Sequence, residues 1–304
     1  MYRYEKLMVA MNLDDHDVLL IKCAGFISRM ARSSEVYFVH VSDTFKIPEE
    51  IKKLYPQIVT PMDQAARERM EQSVKSHFSG YEKTATRFEA FEGQVLGNLI
   101  KCSKKYDIDL VIAGHYLDKA AKGSCLSEKL ARKAFCSVMV VPENARIRFE
   151  EILVAVDFSE NSLGALDVGT AFAKASGQGT INIINTYEVP EGYYKTGKSF
   201  DEFAQIMEKN AEQRLENLLD RADLKGIDTR PAFQLNSDVV DGILKYADEM
   251  DAQLIVVGAR GRSGDIAAIL LGSITEGLIR RVRRPLLAVK EKGSGLNILD
   301  AWSS

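Results

Sequence analysis

The sequence predicts two tandem α/β domains, each with a five-stranded parallel sheet that carries helices on both faces. Three apolar segments recur in the same order along the chain: Leu7–Asn12 resembles Ile152–Asp157, Asp109–Gly114 resembles Gln253–Gly258, and Cys136–Val141 resembles Arg284–Val289. The separations of 145, 144 and 148 residues indicate two copies of one domain. Each segment is a short continuous apolar run, and helical periodicity lies between the runs. This alternation is typical of parallel strands covered by helices.

The second copy shows the alternation most clearly. We predict strands at 152–157, 180–187, 229–235, 254–257 and 286–290. Helices are predicted at about 160–176, from about 200 to 222, after 237, and up to about 284. The helix that begins near Phe200 has apolar residues at three-and-four spacing, which defines one buried face. Ser159 and Ser237 are expected to cap the helices that follow them.

The domain limits follow from these segments. We expect one domain at residues 1–144, a second at 150–291 and a loose tail at 292–304, with the boundary in the polar stretch Pro142–Arg148.

Composition narrows the class of protein. The chain has 304 residues with 46% apolar and 27% charged side chains, which is typical of a globular protein. A net charge of −3 gives no basic footprint for nucleic acid, and no apolar run reaches the length of a membrane span. The N-terminal stretch MYRYEKLMVAMNLDD lacks the features of a signal peptide, so we expect a cytoplasmic protein. The cysteines and histidines lack ligand spacing, so no metal site is expected.

Open parallel sheets bind ligands beyond the carboxyl ends of their strands, where the strand order reverses. Two such ends carry suitable residues. Asp157 ends the first strand of the second copy, and the glycine-rich stretch Val257–Gly264 leaves the fourth. Glycines allow backbone N–H groups to approach phosphate oxygens closely. The helix that opens at Leu271–Thr275 adds an anion-binding N-terminus, to which the hydroxyls of Ser273 and Thr275 could contribute donors.

Asp157, the pair Gly258 and Gly261, and the dipeptide Gly272-Ser273 resemble the nucleotide-binding motif of the universal stress proteins. The resemblance spans both copies, as in tandem members of that family. The motif G-x-x-G-(nine)-G-[ST] is matched here with ten intervening residues, Arg262–Leu271. The family implies a flavodoxin-like (Rossmann-like) fold and an adenine nucleotide, which we take to be ATP, with or without Mg²⁺. The nucleotide-binding positions that the resemblance implies are Ala155, Asp157, Thr186, Val257, Gly258, Gly261, Gly272, Ser273 and Ile274.

The first copy has lost parts of this motif. Asn12 stands in place of the aspartate, and Leu117 stands in place of the second glycine. Only five residues, Asp118–Lys122, precede Gly123-Ser124. A shortened loop with a leucine in its cradle is expected to hold a triphosphate poorly.

The stretch GYYKTGKS, residues 192–199, matches the phosphate-binding pattern G-x-x-x-x-G-K-[ST]. That pattern requires a strand running into the first glycine and a helix starting at the lysine. Four residues, Glu188–Glu191, intervene here, and helical periodicity begins only near Phe200. We therefore interpret the stretch as a loop with glycine turns and solvated lysines, and keep open the alternative that Lys198 closes over the nucleotide as a lid.

Two charged clusters, one basic and one acidic, are expected to have a structural or a solvated role. The basic run Arg280–Arg284 is expected to stabilise the end of its helix, with an acidic or nucleic-acid partner as the alternative. Asp14, Asp15 and Asp17 are expected to be solvated rather than metal-binding. Arg260 and Arg262 either contact phosphates or face solvent.

Three functions remain open on sequence grounds. The first is a stress-response regulatory protein that binds an adenine nucleotide with little or no turnover, since no general base is placed by a motif. The second is a slow ATP-hydrolysing enzyme on the same scaffold. The third is an interaction protein with two vestigial sites. In the family, the fifth strands of two subunits pair across a two-fold axis. Val138–Val141 and Leu286–Lys290 are therefore expected to pair within this chain as an internal pseudo-dimer, and a further homodimer stays open. Protein partners are unknown.

Overall fold

The computed structural model describes residues 4–42, 62–116, 125–177, 179–224, 226–260 and 271–291. The chain packs as two compact units that divide between His115 and Tyr116. The predicted limits at 1–144 and 150–291 concern the sequence repeats, and they remain a prediction.

The first unit contains a parallel sheet in the order β3-β2-β1-β4. Its elements are β1 (Lys6–Met11), α1 (Asp17–Ala31), β2 (Glu35–Ser42), α2 (Met62–His77), β3 (Ala85–Glu92), α3 (Val95–Lys105) and β4 (Leu110–His115). The central strands β1 and β4 are almost entirely buried, as expected for a sheet with helices on both faces. Because β1 and β4 are parallel, the residues that follow them lie at the same end of the sheet.

The second unit contains a sheet in the order β5-β10-β9-β6-β7-β8. Its elements are α4 (Leu126–Lys133), β5 (Ser137–Pro142), β6 (Ile152–Ala155), α5 (Glu160–Ala175), β7 (Thr180–Tyr187), α6 (Phe200–Leu219), β8 (Asp228–Leu235), α7 (Val239–Glu249), β9 (Leu254–Gly258), α8 (Ser273–Arg281) and β10 (Leu286–Val289). Within the second repeat the strand order is 3-2-1-4-5, all parallel, so the doubly wound α/β fold is confirmed.

Strand β5 runs antiparallel to β10. It pairs with β10 in the register Leu286↔Val140, Leu287↔Met139 and Ala288↔Val138. The predicted pairing of the fifth strands within one chain is therefore present. All side chains of β5 and β10 are buried.

Helix α5 lies against the sheet through a glycine. A Cβ on Gly169 would stand 2.5 Å from Val154 Cγ2, so only glycine allows this approach. The helix begins where Ser159 accepts a hydrogen bond from the Ser162 N–H, as predicted for its cap.

Four predicted details need correction. The strand at 152–157 ends at Ala155, because the Asp157 N–H donates to Ser162 Oγ instead of to a strand. Helix α6 ends at Leu219, not near residue 222. Helix α8 ends at Arg281, because Val282 is already extended ahead of Pro285. Ser237 does not cap α7: Asp238 does, accepting from the Asp241 N–H.

Candidate nucleotide site

A pocket lies at the carboxyl ends of β6 and β9, the two strands between which the order of the second repeat reverses. Its volume is about 350 Å³. The walls come from the ends of β6, β7 and β9 and from the first turns of α5, α7 and α8. This is the place where doubly wound sheets bind ligands.

The structure brings almost all of the predicted site residues to this pocket. Those that line it are Ala155, Asp157, Thr186, Val257, Gly258, Gly272, Ser273 and Ile274. Gly261 lies outside the described residues, as does Arg262. Arg260 also lines the pocket and places a guanidinium at its edge.

Asp157 is held in place by the first turn of α5. Its Oδ1 accepts a hydrogen bond from Ser162 Oγ at 2.7 Å and another from the Ser159 N–H at 3.1 Å. The Asp157 N–H in turn donates to Ser162 Oγ at 2.9 Å. Two hydrogen bonds thus fix the direction of the carboxylate, and the third fixes the Ser162 hydroxyl that donates one of them. Sequence reasoning missed Ser162, although a hydroxyl one turn into the following helix was a detectable signal.

The N-terminus of α8 faces the pocket. Gly272 is the cap residue and has no side chain to bond the first N–H groups of the helix, which have no partner within the helix itself. The Gly272 N–H donates to the Ala259 carbonyl at 2.9 Å, which ties this end to the strand β9. The first-turn N–H groups and the positive end of the helix dipole therefore suit an anion.

Thr275 plays a different role from the one expected. Its Oγ1 donates to the Gly258 carbonyl at 2.9 Å and the residue is buried, so this hydroxyl anchors α8 to β9. Gly258 itself is required for close packing, since a Cβ there would stand 2.8 Å from Asn161 Cβ.

Thr186 contributes a buried hydroxyl to the residues that line the pocket. Thr186 Oγ1 has no hydrogen-bond partner among the described residues. Its neighbour Asn185 is already satisfied by donating to the Val156 carbonyl at 2.8 Å. Buried polar atoms of native proteins are normally paired, so this hydroxyl is an exception among the described residues. Val239 and Ile243 of α7 add an apolar wall that the sequence analysis did not find.

Lys290 is a buried lysine close to the charge of Arg260. Lys290 donates from Nζ to the carbonyls of Ala134 at 2.8 Å and Arg132 at 3.3 Å. Burial, aided by the charge of Arg260, lowers the pKa of Lys290 to about 8.

The stretch GYYKTGKS stands apart from this site. Gly192 and Gly197 have φ values of 85° and 72° and flank a short 3₁₀ turn at Tyr193–Thr196. Ser199 is the cap of α6: its Oγ accepts from the Glu202 N–H, and the Glu202 carboxylate accepts from the Ser199 N–H. The helix starts after the serine, and Lys198 is exposed and does not line the pocket. The structure therefore agrees with the interpretation of a loop with glycine turns and solvated lysines.

The basic run Arg280–Arg284 is largely neutralised by neighbours. Arg281 pairs with Asp238 and Asp241 of α7, and Arg284 bonds the carbonyls of Ala247 and Ala252. These contacts join the run to α7, whereas the expected role at the end of its own helix stays a prediction.

The corresponding edge of the first unit is built differently. Asp17 was expected to be solvated but is buried, and its carboxylate accepts the N–H groups of Asn12 at 3.0 Å and Leu13 at 2.7 Å. Burial raises the pKa of Asp17 to about 6. His115, at the end of β4, is fully buried, and burial together with nearby His16 lowers its pKa. Leu117 and the loop after it lie outside the described residues.

No group of three or more His, Cys, Asp or Glu side chains is arranged to hold a metal ion in the part of the chain that the structure describes. Over those same ranges, no helix has the length and apolar character needed to cross a membrane.

Comparison with known proteins gives consistent results. The sequence model of the universal stress protein family matches residues 3–142 and again 148–290. The universal stress protein YxiE of Bacillus subtilis is 30% identical over 149 residues, which cover 47% of this chain and 99% of YxiE. The universal stress protein MJ0577 of Methanocaldococcus jannaschii is 27% identical over 167 residues, covering 49% and 99%. Each relative therefore has the length of one repeat.

A solved structure extends over both repeats. The crystal structure of a universal stress protein from Archaeoglobus fulgidus superposes with a TM-score of 0.61 at 18% identity and covers 96% of this chain and 98% of that one. This similarity concerns the fold.

Proposed function

Because this chain belongs to the universal stress protein family, we propose that it is a stress-response regulatory protein that binds an adenine nucleotide, ATP, in the pocket of its second repeat. The observation that carries the proposal is the set of groups converging there. A fixed carboxylate, a buried hydroxyl without a partner among the described residues, and an open helix N-terminus surround one cavity at the switch point of the sheet.

These groups fit the three parts of a nucleotide. The first turn of α8 and the guanidinium of Arg260 suit phosphate oxygens, because both offer donors and positive potential. The Asp157 carboxylate suits the hydroxyls of a ribose. The apolar side chains of Val239 and Ile243 suit the flat face of a base, with Thr186 Oγ1 as a polar contact. Mg²⁺ would enter with the phosphates.

We further propose that the protein hydrolyses the bound nucleotide slowly or not at all, and that it is located in the cytoplasm. A regulatory protein of this kind would pass its nucleotide-bound state to protein partners.

The experiment is a calorimetric titration of ATP with Mg²⁺ into the wild-type protein, Thr186→Val and Lys198→Ala. We expect about one site per chain in the wild type. Valine keeps the shape of threonine but removes the hydroxyl, so Thr186→Val should raise the Kd about fivefold, as for the loss of one hydrogen bond. The same change should leave the free protein equally stable or slightly more stable, since it removes an unpaired buried polar atom.

Lys198→Ala is the matched control, because it removes a lysine of the phosphate-binding-like pattern outside the pocket. Its Kd should equal that of the wild type. Absence of ATP binding to the wild type would refute the proposal and favour an interaction protein with vestigial sites. Loss of binding in Lys198→Ala would move the site to GYYKTGKS.

A further inference from the structure

Helix α8 forms the anion-binding end of the pocket but has only nine residues. On one side it packs tightly against α7: a Cβ on Gly277 would stand 2.8 Å from Val240 Cγ2. Its own side chains Leu278 and Ile279 are buried. A short helix has little stability of its own, so its position depends on such neighbours.

The other side of α8 is held by charges from α4, a helix of the first sequence repeat. Arg280 donates to Glu128 from Nε at 2.9 Å and from Nη2 at 3.2 Å. Arg132 donates from Nη2 to Glu276 at 2.7 Å and to Glu128 at 3.1 Å. Arg280 also reaches Glu276 at 2.6 Å. We call Glu128, Arg132, Glu276 and Arg280 the four-charge cluster.

The cluster is symmetric in sequence but not in environment. Glu128 and Arg132 precede Glu276 and Arg280 by the same 148 residues, so the two pairs are equivalent positions of the repeats. The side chain of Glu128 is nevertheless 1% exposed, whereas that of Glu276 is 23% exposed. Glu128 is the buried centre of the cluster, with both guanidiniums directed at it.

We propose that Glu128 is a positioning residue for the phosphates of the bound nucleotide. A buried carboxylate is tolerated only when its cationic partners are in place, so the cluster has one favourable arrangement. That arrangement fixes Glu276 and Arg280, and through them the direction of α8. Glu276 lies in the first turn of α8, directly after Ser273, Ile274 and Thr275, which line the pocket. Through Glu128, the first repeat therefore controls the anion-binding end of the second. This inference rests on the proposed nucleotide site.

The test compares two ligands that differ only in their phosphates. Mg²⁺-ATP and adenosine are titrated into the wild type, Glu128→Gln and Glu35→Gln. Glutamine keeps the size of the side chain but removes the charge that orients both arginines. For Glu128→Gln we expect the Kd for ATP to rise about tenfold, within the range of couplings between sites, and the Kd for adenosine to stay within about twofold. Glu35 of the first unit is also paired with an arginine, Arg87, so Glu35→Gln is the matched control and should change neither Kd.

The ratio of the two Kd values separates positioning from folding. Partial unfolding of Glu128→Gln would lower the number of sites but not change this ratio. Glu276→Gln, at the more exposed end of the cluster, should shift the ratio in the same direction. The inference is wrong if ATP binds Glu128→Gln as it binds the wild type, or if both ligands weaken equally. If the wild type binds neither ligand, the proposed function itself fails and this inference fails with it.

Discussion

A carboxylate stands at a different position in each of the two repeats. In the second repeat Asp157 follows the strand β6, and Ser162 lies in the first turn of the helix α5. In the first repeat the equivalent positions, 145 residues earlier, hold Asn12 and Asp17. Both arrangements satisfy the N–H group that follows the strand. Among the described residues, Asp157 lines the pocket of the second repeat, whereas the Asp17 carboxylate is buried against the backbone of Asn12 and Leu13. The hydrogen bond to this N–H group is therefore kept in both repeats, while the carboxylate stands at a different position.

This difference predicts a pH effect on stability. The pKa of Asp17 is raised to about 6 in the folded state, from 3.8, so Asp17 holds its proton more tightly when folded. The stabilisation that this provides is present below about pH 4 and is lost as the pH rises to about 6. The free energy of unfolding of the wild type, measured against that of Asp17→Asn, should therefore fall by up to about 3 kcal/mol between pH 4 and pH 7.

Chemical denaturation of the two proteins across this range provides the measurement. Effects of other titrating groups cancel in the difference. A difference that stays constant from pH 4 to pH 7 would show that Asp17 titrates normally.

At the residue level, positions that need glycine for their backbone geometry were predictable from the sequence. Positions that are set by side-chain packing were not. Gly258 and Gly272 were detectable because glycine marks places where chains approach closely. Val239 and Ile243 were not, because an apolar residue on a helix predicts a core contact equally well. The burial of Asp17 was also missed, since three aspartates in four positions resemble a solvated turn.

At the scale of elements, helix α6 shows how a local motif can resemble a functional one. A serine before a helix with glutamate three residues later is a capping box, and Ser199 and Glu202 form it here. The same serine completes the pattern GYYKTGKS by coincidence of sequence. The periodicity of the following apolar residues correctly predicted where the helix starts, because burial of one face extends over many residues. Its end was less predictable, because no glycine or proline marks it.

Replacing Ser199 tests this assignment. Ser199→Ala should lower the free energy of unfolding by about 1 kcal/mol, because the Glu202 N–H loses its acceptor. ATP binding should not change. Ser199→Asp, which retains a capping oxygen, should restore most of the stability.

Thermal or urea unfolding measures the first quantity, and calorimetry measures the second. Unchanged stability of Ser199→Ala would contradict the capping role. A loss of ATP binding in Ser199→Ala would instead show that the serine contacts the nucleotide.

At the scale of the whole molecule, the pairing of β5 with β10 joins the ends of the two sequence repeats. The pairing itself was predictable from the family resemblance. The four-charge cluster was not, because its partners are 144 to 152 residues apart and no sequence pattern joins them. Long-range ion pairs of this kind depend on geometry that local propensities do not encode.

The pairing can be tested by cross-linking. Met139 and Leu287 lie directly opposite each other in the antiparallel register, at a spacing compatible with a disulfide. The double variant Met139→Cys with Leu287→Cys, oxidised during refolding, should form an intrachain bond and migrate as a monomer without reductant. Relative to the reduced form of the same double variant, the bond should stabilise the protein by about 2–4 kcal/mol, because it closes a long loop.

Each single cysteine variant serves as a control for random pairing, since Cys136 is close in sequence. A band of twice the mass that appears only in the double variant would show that the strands pair between two chains, and the assignment of an internal pseudo-dimer would then be wrong.

The covalent link between the two copies also affects how the protein can evolve. In a dimer of identical subunits, every substitution appears twice, so a change that suits one site alters the other as well. Here one mutation changes one position. Glu128 could become the buried centre of the cluster while Glu276 stayed near the surface. In the same way, the second copy could keep an aspartate at position 157 while the equivalent position of the first copy holds Asn12.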